Sequence, residues 1–168
     1  TLNHTGTTFD LNQTSADAAG SLTNNSGATM TYSGTTITLE TNFTQSGTFD
    51  LTGITVTFDG TTSNDDSTIT CTGSLGGSVT LTKTGAADFT VASGCTVTVT
   101  SISATANVTN NGTINHTGST FNLDQTSADP AGSLTNNTGA TMTYSGTTIT
   151  LETNFTQSGT FDLTGITV

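Results

Sequence analysis

Arginine and tryptophan are absent, lysine and proline occur once each (Lys83 and Pro130), and charged residues make up only 8% of the 168-residue chain. Twelve acidic residues against one base leave a net charge of −11. No basic patch is available to neutralise phosphates, so nucleic acid and anionic membrane surfaces are poor partners. No segment approaches the roughly 18 apolar residues that a spanning helix needs. Helix formers such as Ala, Leu, Glu and Lys are sparse, and no window carries an apolar stripe at i, i+3, i+4, i+7. Helical folds are therefore set aside.

Threonine fills the space that these absences leave: 47 residues, about 28% of the chain. Its β-branched side chain is stiff at χ1 and suits strands. Apolar residues alternate in short i, i+2 sets such as Phe9/Leu11, Ile37/Leu39, Ile54/Val56/Phe58, Ile69/Cys71 and Val97/Val99, the rhythm of half-buried strands. Disordered tracts do not keep such a rhythm, so low charge does not signal disorder here. Turns rich in Gly and Asn separate the sets ("NNSG", "YSG", "QSG", "ASG", "NNG"), and both residues tolerate positive φ.

Residues 1–56 return as residues 113–168 with six differences: Leu2/Ile114, Thr7/Ser119, Asp10/Asn122, Asn12/Asp124, Ala18/Pro130 and Ser26/Thr138. A near-perfect copy at a period of 112 residues (113 − 1) reads as one and a half units of a longer array. A finer motif runs inside it, an apolar residue followed by Thr and, after two or three variable residues, usually Gly, led by Leu22, Phe43, Leu81, Val108, Leu134 and Phe155. If the 38-residue gap between Phe43 and Leu81 is two coils of 19, each long repeat holds five coils of about 19–27 residues. Coils of that length with three short strands each describe a parallel β-solenoid, about seven or eight rungs and roughly 35 Å tall, with apolar ladders inside and Thr and Asn outside. All 168 residues then form one continuous solenoid segment, with 57–112 completing the repeat unit. The rival architecture is a tandem array of Ig-like β-sandwiches of about 112 residues. The missing core Trp and the turn spacing favour the solenoid.

The stretches "VTNNGTINHTGSTFNL" and "SLTNNTGATMTYSGTTITL" resemble the degenerate coils of filamentous-haemagglutinin and autotransporter-type surface adhesins. The resemblance covers nearly the whole chain. It implies a right-handed parallel β-helix on a long secreted protein, placed outside the cell or on its surface.

The candidate sites are few. Cys71 and Cys95, about one coil apart, are expected to meet on neighbouring rungs as a disulfide, with two buried thiols as the alternative. His4 and His116 are copies of one position about five rungs apart and are expected on the surface. The loop "DGTTSNDD" makes Asp59, Asp65 and Asp66 a weak calcium candidate; it lacks the spacing of known calcium loops, and a solvated acidic loop is favoured. No other cofactor is implied. Glycosylation sequons stand at Asn3, Asn12, Asn24, Asn42, Asn107, Asn111, Asn115, Asn136 and Asn154, a mild excess over chance in a chain this rich in Ser and Thr.

No nucleophile motif is present, and Glu40 and Glu152 are again copies of one position, too far apart for a hydrolytic pair, so no catalysis is expected. Thr-x-Thr recurs (Thr36/Thr38, Thr55/Thr57, Thr96/Thr98), which raises ice binding, but the intervals are uneven and no face is expected to collect one pair per coil. The reading that results is a structural segment of a filament, sheath or adhesin stalk. Its expected partners are copies of itself, end to end or side by side, and a surface carbohydrate or another cell that meets several identical attachment sites.

Overall fold

The computed structural model describes residues 1–11, 20–60, 66–82, 88–103, 107–123 and 132–168. Among these residues there is no helix, and every strand pairing is parallel. Tandem sandwiches need antiparallel neighbours, so the chain is a parallel β-solenoid. Three faces wind about the axis. Face I is a seven-stranded sheet of Leu22–Asn24, Phe43–Gln45, Ser67–Cys71, Phe89–Val91, Val108–Asn110, Leu134–Asn136 and Phe155–Gln157, stacked in that order.

Face II begins as a three-stranded sheet of Leu2–His4, Thr29–Tyr32 and Thr48–Phe49, and its second-repeat counterpart is Thr113–His116, Thr141–Tyr144 and Thr160–Phe161. Face III carries Phe9–Asp10, Thr36–Leu39 and Thr55–Phe58, then Phe121–Leu123 and Thr150–Leu151. Between these groups the nine-residue strands Gly73–Leu81 and Cys95–Ser103 run through faces II and III without a break and join them in a ten-stranded sheet.

Hydrogen-bonded neighbours one coil apart on face I are separated by 21 (Asn24–Gln45), 26 (Asn42–Thr68), 22 (Asp66–Asp88), 19 (Asp88–Asn107), 26 (Asn107–Ser133) and 21 (Asn136–Gln157) residues. Five coils thus carry Leu22 to its copy Leu134. The 38-residue gap has a different origin from the one expected. Leu81 lies on face III, in register with Phe58 and Ile102, while the coils after Phe43 enter face I at Ser67 and Phe89. An inward apolar residue followed by an outward Thr occurs on all three faces, so the short motif alone does not tell them apart.

Inward residues form ladders. Ile37, Val56 and Val79 are successive partners on face III and lead to Val99, where the long strand crosses to face II and pairs with His116; Leu39, Phe58, Leu81, Ile102 and Phe121 form a second ladder on face III, and these nine apolar residues are all buried. Burial of such a side chain contributes about 1.5–3 kcal/mol, and here the contribution comes from the next coil. Phe43 and Glu40 are covered (0% and 2% exposed), whereas their sequence copies Phe155, half-buried, and Glu152, exposed, lie in the last coil.

The corner between faces I and II explains the glycines. Residues 92–95 form a turn closed by Cys95 N–H donating to Ala92 O (3.2 Å), with Gly94 at φ 79°, the position where a type II turn needs glycine. The next coil places Gly112 directly on that turn, where a Cβ would fall on the carbonyl oxygens of Ala92 and Cys95. Gly47 and Gly159 sit in the same way on the turns at residues 25–28 and 137–140. No asparagine has positive φ among the described residues, so "NNG" and "QSG" are close-approach signals rather than turn-dihedral signals. Gly112→Ala is expected to cost about 1–3 kcal/mol through overpacking, against less than about 0.5 kcal/mol for the outward Thr109→Ala. Urea melts of the two variants check this, and equal midpoints would contradict the stacking of Gly112 on the turn.

Candidate functional site

Each face I strand places a threonine outward at or beside its centre. Thr68, Thr90, Thr109, Thr135 and Thr156 are consecutive ladder partners, and Thr23, Thr44 and Thr70 continue the row across a two-residue change of register. On face III the pairs Thr36/Thr38, Thr55/Thr57 and Ser78/Thr80 stack in register, and on face II so do Thr96/Thr98, Thr113/Asn115 and Thr141/Thr143. The uneven intervals in the sequence come from coils of unequal length; in space face I collects one threonine per coil. Because backbone groups within the sheets are used by the ladders, the side chains are left to define these surfaces. Some hydroxyls pair across rungs, as in Thr55–Ser78 and Thr80–Thr100, both 3.2 Å.

The same corner that holds the glycines contains a buried polar column. Asn110 Nδ2 donates to Asn136 Oδ1 (2.8 Å) and to Thr141 O (2.8 Å), while Asn110 Oδ1 accepts from Gly112 N–H (3.1 Å). Asn136 Nδ2 continues to Gln157 Oε1 and Thr160 O, both 3.2 Å. In the first repeat Asn24 Nδ2 donates to Gln45 Oε1 (3.2 Å) and Thr48 O (3.3 Å). Asn110 and Asn136 are wholly buried and Asn24 is 2% exposed. A buried amide is tolerable because its Nδ2 donates both to an amide oxygen on the adjacent coil and to a carbonyl at the start of a face II strand.

Between Gln45 and Asn110 the amides stop, and Cys71, the ladder partner of Gln45, is bridged to Cys95 across the same corner with Cα atoms 4.8 Å apart. A disulfide thus occupies the part of the column that lacks amides.

His116 is not a surface residue: it is 1% exposed, packed against the rings of Tyr144 (4.8 Å between centroids) and Phe121 (5.3 Å). His4 makes the corresponding contacts with Tyr32 and Phe9 but is only half-buried, at the other end of the stack. Neither ring nitrogen of His116 meets a partner at full hydrogen-bond geometry, although the backbones of Thr120, Gly118 and His116 itself lie close enough to act on the ring. Burial pushes its pKa below the ordinary 6.5, and the nearby backbone of Thr120 and Gly118 opposes this only in part. A base with a depressed folded pKa binds protons more readily when unfolded. Its stabilising contribution is therefore complete above 6.5 and is lost as the pH falls below that value. The melting temperature is expected to fall between pH 7 and pH 5, and His116→Phe to flatten that slope; an unchanged slope in the variant would assign the pH dependence to other groups.

The remaining sequence candidates are dispersed. Asn24 and Asn136 have their Nδ2 atoms inside the stack, so a glycan has no place on them in the folded chain. Asn107 Nδ2 donates to Asp88 (2.8 Å) and its Oδ1 accepts from Ser133 Oγ (2.7 Å). Asn3, Asn42 and Asn154 are exposed, Asn111 and Asn115 half-buried, and Asn12 lies outside the described residues.

Of the calcium candidates, Asp65 lies outside the described residues, Asp59 is half-buried, and Asp66 Oδ1 accepts from Asp88 N–H (2.8 Å). No group of three or more His, Cys, Asp or Glu suited to a metal ion comes together among the described residues. Comparison with protein-family models, with curated proteins and with solved structures found no match.

Proposed function

We propose that the chain is a structural segment of a long repetitive extracellular filament, sheath or adhesin stalk. One observation carries the reading: a buried apolar ladder runs from Leu39 through Phe58, Leu81 and Ile102 to Phe121 of the second repeat, so each repeat gains its core from the coils stacked on it. A design of this kind spans distance, because each 112-residue unit adds five rungs, about 24 Å at 4.8 Å per rung. The cross-coil disulfide supports an oxidising setting, and the resemblance to surface adhesins supports a cell-surface place. Wherever such a stack ends without a cap, its unpaired rung favours end-to-end association of copies. Proteins built with one, two and three tandem repeats test the proposal. Electron microscopy is expected to show smooth rods lengthening by that increment; beads at domain spacing would contradict it.

A second reading is favoured by the threonine rows. One outward threonine per coil on face I, with paired ranks on faces II and III, is the regular hydroxyl and methyl array that an ice-binding solenoid presents. Thermal hysteresis and faceted ice growth would support it, and their absence would remove it.

A further inference from the structure

The corner between faces II and III contains a notch whose hydrogen-bonded framework recurs in the second repeat. Met30 and Phe49 are ladder partners, and so are Thr36 and Thr55 six residues later, yet the two coils take different paths between those points. The Tyr32 coil swings outward, held by the Tyr32 hydroxyl against Thr36 O (2.7 Å) and Thr7 O (2.9 Å). The Asp50 coil cuts inward through a turn closed by Ile54 N–H to Leu51 O (2.9 Å). The difference leaves an open cavity of about 430 Å³ with a mixed lining, in which Met30, Tyr32 and Ile54 are apolar and Thr31, Asp50 and Thr52 polar.

The second repeat fixes the same residues in the same way. Tyr144 donates to Thr148 O (2.9 Å) and Ser119 O (2.8 Å), Ile166 N–H to Leu163 O (3.0 Å), and Thr164 N–H to Asp162 Oδ1 (2.9 Å), matching Thr52 N–H to Asp50 Oδ1 (2.9 Å). Five rungs separate the two notches, about 24 Å along the axis.

The cavity falls in the size range of small-ligand sites, roughly 300–1,000 Å³, and is too small for more than a ring or two. Its mixed lining suits a ligand that carries both C–H surface and hydroxyl groups. The tyrosine hydroxyls are consumed internally, so the ring offers its apolar side. Each aspartate accepts from the backbone and the hydroxyl of the threonine two residues on, Thr52 or Thr164, and its carboxylate keeps further lone pairs that accept strongly from hydroxyl donors. Asp50, Asp162 and the net charge of −11 repel anionic ligands.

We propose that each notch binds one neutral pyranose unit of a glycan, with Asp50 or Asp162 accepting from adjacent sugar hydroxyls and Tyr32 or Tyr144 facing the ring C–H groups. A glycan long enough to span both notches gains avidity. The proposal does not depend on the filament reading.

The intact 168-residue chain is tested on an array of immobilised gluco-, manno-, galacto- and N-acetylglucosamine-type oligosaccharides, beside sulfated and sialylated ones. At least one neutral series is expected to bind. Asp50→Asn and Asp162→Asn, which keep the turn acceptor, are each expected to weaken binding to long glycans by about tenfold or more through lost avidity, and the double variant to abolish it with an unchanged circular dichroism spectrum. Binding of anionic glycans alone, binding that survives in the double variant, or no glycan binding at all would overturn the proposal.

Discussion

Asn110→Ala is expected to cost about 3–5 kcal/mol, a large share of the stability of a domain this size. The side chain is wholly buried, and its loss strands three groups at once: Asn136 Oδ1, Thr141 O and Gly112 N–H. Each buried group left without a partner costs about 1–3 kcal/mol. Asn110→Leu separates packing from polarity, since it restores volume but none of the hydrogen bonds. It is expected to remain at least about 2 kcal/mol below the parent. Equilibrium urea melts measure both, with Thr109→Ala, one residue away and outward, as the near-neutral reference. An Asn110→Leu variant as stable as the parent would show that the column is incidental to the stack.

Removal of the Cys71–Cys95 bridge is expected to be the second large effect. The bridge closes a loop with a sequence separation of 24 residues, for which chain entropy in the unfolded state gives roughly 3 kcal/mol. For a protein of this length that corresponds to a fall in melting temperature of about 6–12 °C. The local consequence adds to the global one. At this level of the corner no amide links one coil to the next, so Cys71→Ala with Cys95→Ala leaves the column interrupted between Gln45 and Asn110. Scanning calorimetry of the parent with and without reductant, and of the double variant, checks the effect. A melting temperature unmoved by either treatment would contradict it.

Much of the architecture was legible because it depends on period alone. Alternation marked the strands, the 112-residue copy marked the array, and the count of five coils per repeat came out right although it used Leu81, which lies on face III, as a marker beside Leu22, Phe43, Val108, Leu134 and Phe155. The site features were harder because they depend on phase and on neighbours far along the chain. Asn24, Asn110 and Asn136 stand two residues after the inward Leu22, Val108 and Leu134, so alternation already points them inward; the habit of placing asparagine in turns hid that signal. His116 lies in a strand two residues after the buried Ile114, and its burial needs the rings of Phe121 and of Tyr144 on the next coil, a contact no local pattern reveals. The threonine rows were obscured by coils of unequal length, which scatter in sequence what parallel register aligns in space.

The parallel, in-register stack is tested most directly by paired cysteines on face I. Thr109 and Thr135 point outward on adjacent rungs and are ladder partners, which puts their Cα atoms close to the strand spacing of about 4.8 Å and within disulfide reach. Thr109 and Asn137 are two residues out of register, beyond the roughly 7 Å limit. Thr109→Cys with Thr135→Cys is expected to close on mild oxidation, read by peptide mass mapping beside the native bridge, while Thr109→Cys with Asn137→Cys stays open. Closure of the second pair in preference to the first, or of neither, would contradict the stacked column.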